Sequence, residues 1–198
     1  MNKTSQKTKT KKSKTNQKSK SKTHKKSKTN EIKLDLIKKS DFDNILELTT
    51  NIDIMKYIGN SKVWDKEKVS KFINYCINDE KVKDNKREQY YYKIINSSDD
   101  FIGIIGFHKF VRKELPQTNN DFFLTIYLNP KQQNKGYFSE SMKLLIKKMN
   151  KVQPRKDKLY SLVRESNEKM NIISKAKYKF IKKIKLNNEL LNLYSIKI

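Results

Sequence analysis

The sequence predicts a mixed α/β domain that follows a basic, disordered N-terminal tail. Three observations lead to this prediction. Residues 1–30 contain twelve lysines, no acid and no apolar side chain other than Met1. Several later segments carry apolar residues at helical spacing, and others are runs of aromatic and β-branched residues typical of strands. We therefore expect a tail at residues 1–30 and a folded domain at residues 31–198.

The composition limits the class of protein. The 198 residues suffice for one domain with a sizeable core. Lysine and arginine total 46 against 21 acids, and the 34 bases outside the tail still leave the domain at +13. A single cysteine, Cys76, excludes a disulfide framework and a cysteine-built zinc site. No apolar run approaches the roughly 18 residues of a membrane helix, and no secretory signal follows the basic start. We expect an intracellular protein, cytoplasmic or nuclear, without membrane or metal partners.

The tail cannot bury enough apolar surface to offset the entropy of ordering it, so we expect it to be disordered. Its lysines predict nonspecific binding to nucleic acid or another polyanion, driven by counterion release. The alternative is a solvated tail without a specific partner.

The first third of the domain predicts one strand and two helices. Apolar residues alternate with polar ones over residues 32–36, which indicates a strand. Ser40 and Asp43 resemble a capping box that opens a helix. Apolar side chains recur at helical spacing over residues 66–79, and Cys76 lies in that stripe, so we expect it to be a core residue.

The remainder predicts a sheet interrupted by two helices. Strands are expected at residues 90–95, 101–107 and 122–128, with a turn at 96–100 and a polar loop at 112–120 that contains Pro116. The later elements are a helix at 139–150, a strand at 159–163, a helix at 168–176 and a hairpin of residues 178–184 and 191–198. The order predicts a central mixed sheet of about seven strands flanked by about four helices.

The segment from Leu124 to Ser139 has the features of an anion site. A strand ends at Pro130, a short polar loop contains Gly136, and a helix follows. The first turn of a helix presents unpaired N–H groups and a partial positive charge, to which nearby lysines add. These features predict a phosphate site, and the alternative is an ordinary loop in which the glycine makes the turn.

This loop also resembles a known family. Gln133 to Phe138 is similar to the acetyl-coenzyme A loop of the GCN5-related N-acetyltransferase (GNAT) superfamily, whose pattern is Gln/Arg-x-x-Gly-x-Gly/Ala. Residues 101–106 resemble the third strand of that family, and residues 160–167 resemble its fifth strand and the asparagine that follows. Residues 34–41 resemble the opening of its ribosomal-protein and spermidine acetyltransferase branch. The similarity extends over residues 31–198 and implies the GNAT fold.

The resemblance implies acetyl-CoA as co-substrate and a primary amine as acceptor. The neutral amine would attack the thioester directly, with both substrates bound together. Cofactor contacts would come from the fourth strand, from the loop that holds the pyrophosphate, and from an asparagine after the fifth strand. By position these residues are Ile126, Tyr127, Leu128, Gln133, Asn134, Lys135, Gly136, Tyr137, Phe138, Ser139 and Asn167.

The sequence departs from the family pattern at catalytically relevant positions. Phe138 stands where the loop has a small residue, and Ser174 stands where a tyrosine often protonates the leaving thiolate. Tyr178 is a possible substitute for that acid. Asp121 is a candidate general base, two positions before a site where relatives carry glutamate, and its alternative interpretation is a solvated strand-end carboxylate. His108 has a suitable ordinary pKa, with a lone surface histidine as the alternative.

Two functions therefore remain open. The first is an N-acetyltransferase that acts on a polyamine, an amino sugar or a protein amine, where the charge of +13 favours a less cationic acceptor. The second is a catalytically degenerate GNAT-fold binding module that the tail attaches to a polyanion, which the departures at Phe138 and Ser174 favour. An active enzyme tethered by its tail combines both.

Overall fold

In the part of the chain that the structure describes, seven strands form one mixed sheet in the order β1-β2-β3-β4-β5-β7-β6, which confirms the predicted fold class. The structure is a computed structural model that describes residues 1, 31–115, 118 and 120–198. The predicted tail beyond Met1 and the predicted loop proline Pro116 lie outside the described residues. The strands are β1 (Ile32–Leu36), β2 (Gln89–Asn96), β3 (Phe101–His108), β4 (Phe122–Leu128), β5 (Leu159–Arg164), β6 (Lys179–Leu186) and β7 (Glu189–Ile196).

The sheet divides between β4 and β5. All other neighbouring strands are antiparallel, whereas β4 and β5 are parallel and share only the pairs Phe122–Leu159 and Phe123–Tyr160. Beyond those pairs the two strands separate. The separation leaves one edge of β4 without a neighbouring strand in the described part of the chain.

Helices cover both faces of the sheet. The helices are α1 (Phe42–Thr50), α2 (Ile52–Met55), α3 (Lys66–Asp79), α4 (Tyr137–Val152) and α5 (Glu168–Lys177). The first three pack on one face, where their apolar side chains meet Ile104 and Tyr127. Helix α4 packs on the opposite face against Ile105 and Phe107. Helix α5 packs against β7, where Oδ1 of Asn171 accepts hydrogen bonds from the side chains of Asn192 and Tyr194. No helix in the described part of the chain is long and apolar enough to cross a membrane.

Local details correct the predicted elements in three places. The short helix α2 is a fifth helix that the sequence did not reveal, and α4 begins at Tyr137 rather than Ser139. Ser40 does not cap α1, because it lies within a 3-10 turn at Lys39–Asp41. The carboxylate of Asp41 instead accepts hydrogen bonds from the backbone N–H of Lys38 (2.7 Å) and from Nζ of Lys93 (2.8 Å).

Cys76 lies in the core between α3 and the sheet, as its place in the apolar stripe predicts. Burial raises the pKa of its thiol to about 12, with a further contribution from nearby Asp79. A thiol in this state is protonated at neutral pH and is therefore a poor nucleophile.

Candidate active site

The separation of β4 and β5 opens a cleft of about 1000 Å³. Its two walls are residues 124–128 of β4 and residues 161–164 of β5. The loop before α4 and the first turns of α5 close one side, and the segment of residues 53–59, around α2, closes the other. Backbone N–H and C=O groups along the open edge of a strand are free to bind an extended ligand. The cleft therefore offers a strand edge to a long, narrow molecule.

The loop that leads into α4 presents backbone N–H groups to this cleft. The Asn129 side chain accepts a hydrogen bond from the N–H of Lys131 (3.0 Å) and fixes a 3-10 turn at Pro130–Gln132. Gly136 then adopts a left-handed conformation with φ +83°, which favours glycine. Among the described residues, the N–H groups of Tyr137 and Phe138 donate to no backbone carbonyl. Two amide donors at the positive end of a helix form an anion site.

The backbone of β4 and two lysine side chains of α5 hold this loop in place. Nε2 of Gln133 donates to the carbonyl oxygen of Leu128 (3.3 Å), and its Oε1 accepts from Nζ of Lys169 (3.0 Å). Nζ of Lys177 donates to Oγ of Ser139 (2.5 Å). The two lysines of α5 add positive charge beside the amide donors. Sequence reasoning missed them, because one lysine among many carries no signal in a chain with this composition.

Ten of the eleven residues predicted to contact the cofactor line the cleft, and the eleventh, Lys135, does not. Lys135 directs its Nζ to Oε1 of Gln132 (2.9 Å). The ring of Tyr127 packs against Trp64, so its backbone is the part suited to a ligand. The ten lining residues are Ile126, Tyr127, Leu128, Gln133, Asn134, Gly136, Tyr137, Phe138, Ser139 and Asn167.

The three candidate catalytic residues are not among the residues that line the cleft. Asp121 is buried on the closed side of the β4–β5 junction, where its Oδ2 accepts from the N–H of Thr118 (2.7 Å). Ser174 is fully buried, and its Oγ has no hydrogen-bond partner in the described part of the structure. Tyr178 ends α5 and packs against the core, and burial raises its pKa to about 12. Their roles in proton transfer remain predictions.

The far end of the cleft contains paired charges. Arg164, at the end of β5, donates a hydrogen bond to the carbonyl oxygen of Gly59 (2.7 Å) and forms an ion pair with Glu189 of β7. Asp53 of α2 forms an ion pair with Lys56 (2.8 Å). No sequence pattern singled out Arg164, because its partners are distant along the chain. These pairs leave little uncompensated negative charge on Asp53 and Glu189.

His108 lies in the cleft, contrary to the interpretation of a lone surface histidine. Its Nδ1 is 3.3 Å from Oγ1 of Thr125, and burial lowers its pKa to about 4. Among the described residues, no group of three or more histidine, cysteine, aspartate or glutamate side chains is placed to hold a metal ion.

Fold and cleft together define an α/β protein with a ligand cleft between two diverging parallel strands. At one end of this cleft lies a helix N-terminus that is suited to binding phosphate. A family model described as an acetyltransferase (GNAT) domain matches residues 31–178. The chain therefore belongs to the GNAT family of acetyltransferases, as the loop resemblance predicts. No curated protein sequence matches the chain significantly.

Solved structures share this fold at low sequence identity. A GNAT-family acetyltransferase from Bacillus anthracis is 21% identical with a TM-score of 0.65, over 85% of this chain and 96% of that one. Spermidine N-acetyltransferase from Vibrio cholerae, in complex with CoA and spermine, is 14% identical with a TM-score of 0.63, over 84% and 95%. The Salmonella typhimurium acetyltransferase that modifies the N-terminal serine of ribosomal protein L7/L12 is 16% identical with a TM-score of 0.66, over 87% and 96%. The neighbours thus include both activities of the predicted branch.

Proposed function

We propose that this chain transfers an acetyl group from acetyl-CoA to a primary amine, by direct attack while both substrates occupy the cleft. The observation that carries the proposal is the open edge of β4, which leads directly to the free N–H groups of Tyr137 and Phe138. Acetyl-CoA supplies an activated thioester, and the residues of the chain bind and orient the two substrates.

The cleft residues match the chemistry of the co-substrate. The open edge at residues 126–128 can pair with the amides of the pantetheine arm, as a further strand would. The free N–H groups at the start of α4 suit the pyrophosphate. Asn167 accepts the N–H of Met170 (3.2 Å) through Oδ1, which leaves its NH₂ group to donate toward the cleft. The ring of Phe138 packs partly against the core and also contributes to the cleft lining.

We further propose that the acceptor is an amine with an apolar substituent and not a polyamine. A polyamine needs several unpaired carboxylates. Of the three described carboxylates that line the cleft, Asp53 and Glu189 are paired with cations, which leaves Glu168 alone. The cleft wall opposite α5 is apolar and includes Phe110, Phe123 and Leu191. Such a wall favours a small apolar amine or the terminus of a protein over a chain of ammonium groups.

Thermal unfolding of the full chain with acetyl-CoA tests the co-substrate site. Ligand at about 100 times its dissociation constant stabilises a protein by roughly 2.7 kcal/mol. For a chain of this size the midpoint then rises by roughly 5–10 °C. A matched pair of variants, Gly136→Ala and Gly136→Glu, separates backbone strain from charge. Both side chains strain the same left-handed φ, and a Cβ at this position has no heavy atom within 4 Å.

We expect Gly136→Ala to keep the acetyl-CoA shift and Gly136→Glu to lose it, because the glutamate places a negative charge at the pyrophosphate site. Equal shifts in both variants would mean that the ligand binds elsewhere. Release of the CoA thiol, measured over a panel of primary amines, then tests catalysis. Binding without turnover of any amine would favour the degenerate binding module.

A further inference from the structure

We propose that His108 is a catalytic residue: its Nε2 accepts a hydrogen bond from the acceptor amine and receives the proton that the nitrogen loses on acetylation. This inference rests on the proposed acetyltransferase function. It assigns the base to a cleft residue, whereas Asp121 lies outside the cleft lining.

A row of three strands builds the surroundings of His108. Tyr91 of β2, Gly106 of β3 and Thr125 of β4 are paired across the sheet, so they lie side by side on one face. A Cβ at Gly106 would come within 2.5 Å of Cδ1 of Tyr91. The missing side chain therefore lets the Tyr91 ring lie across β3 toward Thr125. His108 projects from the same face, two residues further along β3.

Aromatic neighbours fix the orientation of the imidazole. The His108 ring stacks on Tyr91 with centroids 6.2 Å apart and an interplanar angle of 22°. It also meets Phe110 edge-on, with centroids again 6.2 Å apart. Nδ1 faces Thr125, which places Nε2 on the opposite side of the ring. Because His108 lines the cleft, we assign Nε2 to the side that the acceptor reaches.

Thr125 offers a partner for the required tautomer. Its Oγ1 lies 3.3 Å from Nδ1 of His108 and can accept a hydrogen bond from Nδ1–H. A donor at Nδ1 leaves Nε2 with a free lone pair, since the partner of one ring nitrogen determines the state of the other.

The surroundings also keep the imidazole and the amine neutral. Burial lowers the pKa of His108 to about 4, so the ring is an acceptor near neutral pH. The same low polarity disfavours an ammonium ion and so favours the neutral, nucleophilic amine. Among the carboxylates that line the cleft, Asp53 and Glu189 are paired with cations and are weaker candidates for this role. Glu168 lies in the first turn of α5, whose Lys169 contacts the loop before α4, so it belongs to the anion-binding end of the cleft.

The proton balance of the step is simple. The nitrogen lone pair forms the C–N bond, the C–S bond breaks, and its electron pair stays on sulfur. As the C–N bond forms, the proton on the attacking nitrogen becomes strongly acidic. A weakly basic imidazole can therefore receive it at Nε2. The imidazolium then returns the proton through water to the thiolate, and His108 ends the cycle neutral.

Nitrogen-15 NMR of the imidazole at about pH 7 tests the proposal without any acceptor substrate. The chain has two histidines, so His24→Gln leaves a single imidazole signal and also serves as the histidine control. We expect a neutral ring with its hydrogen on Nδ1. A ring with its hydrogen on Nε2, or an imidazolium, would overturn the proposal. In Thr125→Val we expect the preference for the Nδ1–H tautomer to weaken.

The second test uses the amine that the thiol-release panel identifies. His108→Gln should lower kcat by roughly 10²-fold, the usual contribution of an acid–base group, while His24→Gln keeps the full rate. The midpoint shift with acetyl-CoA should be unchanged in both, which shows an intact co-substrate site. Full activity of His108→Gln would refute the role of His108 alone, whereas a wild-type chain that acetylates no amine would refute the proposed function.

Discussion

At the scale of single residues, the charge states in the cleft follow from burial. His108 has an ordinary pKa of 6.5, which burial lowers to about 4. Between about pH 4 and pH 6.5, His108 therefore carries a proton in the unfolded chain that it does not carry in the folded chain. The contribution of the neutral His108 to folded stability is complete above about pH 6.5 and is lost as the pH falls toward about 4.

This difference predicts a measurable pH dependence. Between about pH 7.5 and 5 the folded state should lose about 2 kcal/mol through His108 alone. Urea unfolding at the two pH values, for the wild type and for His108→Gln, measures this contribution. We expect the variant to lose about 2 kcal/mol less than the wild type. Parallel pH profiles for the two proteins would show that His108 titrates normally in the folded state.

Ser174 provides a residue-scale test of the acid predicted from the family pattern. Its buried hydroxyl has no partner among the described residues, so Ser174→Ala removes no hydrogen bond that the structure shows. We expect the free energy of unfolding to stay the same or to rise by up to about 1 kcal/mol, because an unpaired polar group is costly to bury. A kcat reduced more than tenfold at unchanged stability would instead establish Ser174 as an acid.

At the scale of elements, the sequence predicted those with strong local patterns. The stripe of α3 and the aromatic runs of β2 to β4 gave bounds within one or two residues. Helix α2 was missed because Ile52–Met55 is one turn long and has no period to detect. Ser40 was assigned as a cap because a sequence pattern does not show that Asp41 is committed to Lys93, a residue of β2.

The site is built partly from residues adjacent in the chain and partly from residues that different strands bring together, and only the first kind of feature can be predicted from the sequence. The loop around Gly136 could be predicted because a glycine and the start of a helix are adjacent in the chain. The separation of β4 from β5 could not be predicted, because it is a property of the pairing between two strands that are distant along the chain. For the same reason His108 could be named from the sequence but not placed, since Tyr91 and Thr125 reach it from other strands.

At the scale of the whole molecule, the question is whether the basic tail and the cleft act independently. The tail contributes twelve lysines, yet the domain keeps a charge of +13 without it. We predict that deletion of residues 1–30 leaves the acetyl-CoA midpoint shift unchanged, because the cleft lining that the structure describes comes entirely from residues 53–191.

The same deletion should abolish most affinity for a polyanion. If the tail neutralises about six phosphates, binding to duplex DNA should weaken by roughly 10³-fold between about 50 and 200 mM salt, because counterion release is the driving force. Fluorescence anisotropy of a labelled duplex, with the full chain and with residues 31–198, measures both effects. Equal, salt-sensitive binding by the two proteins would assign the affinity to the domain surface, where lysines are also abundant. Binding by neither protein would mean that the tail has no role in polyanion attachment.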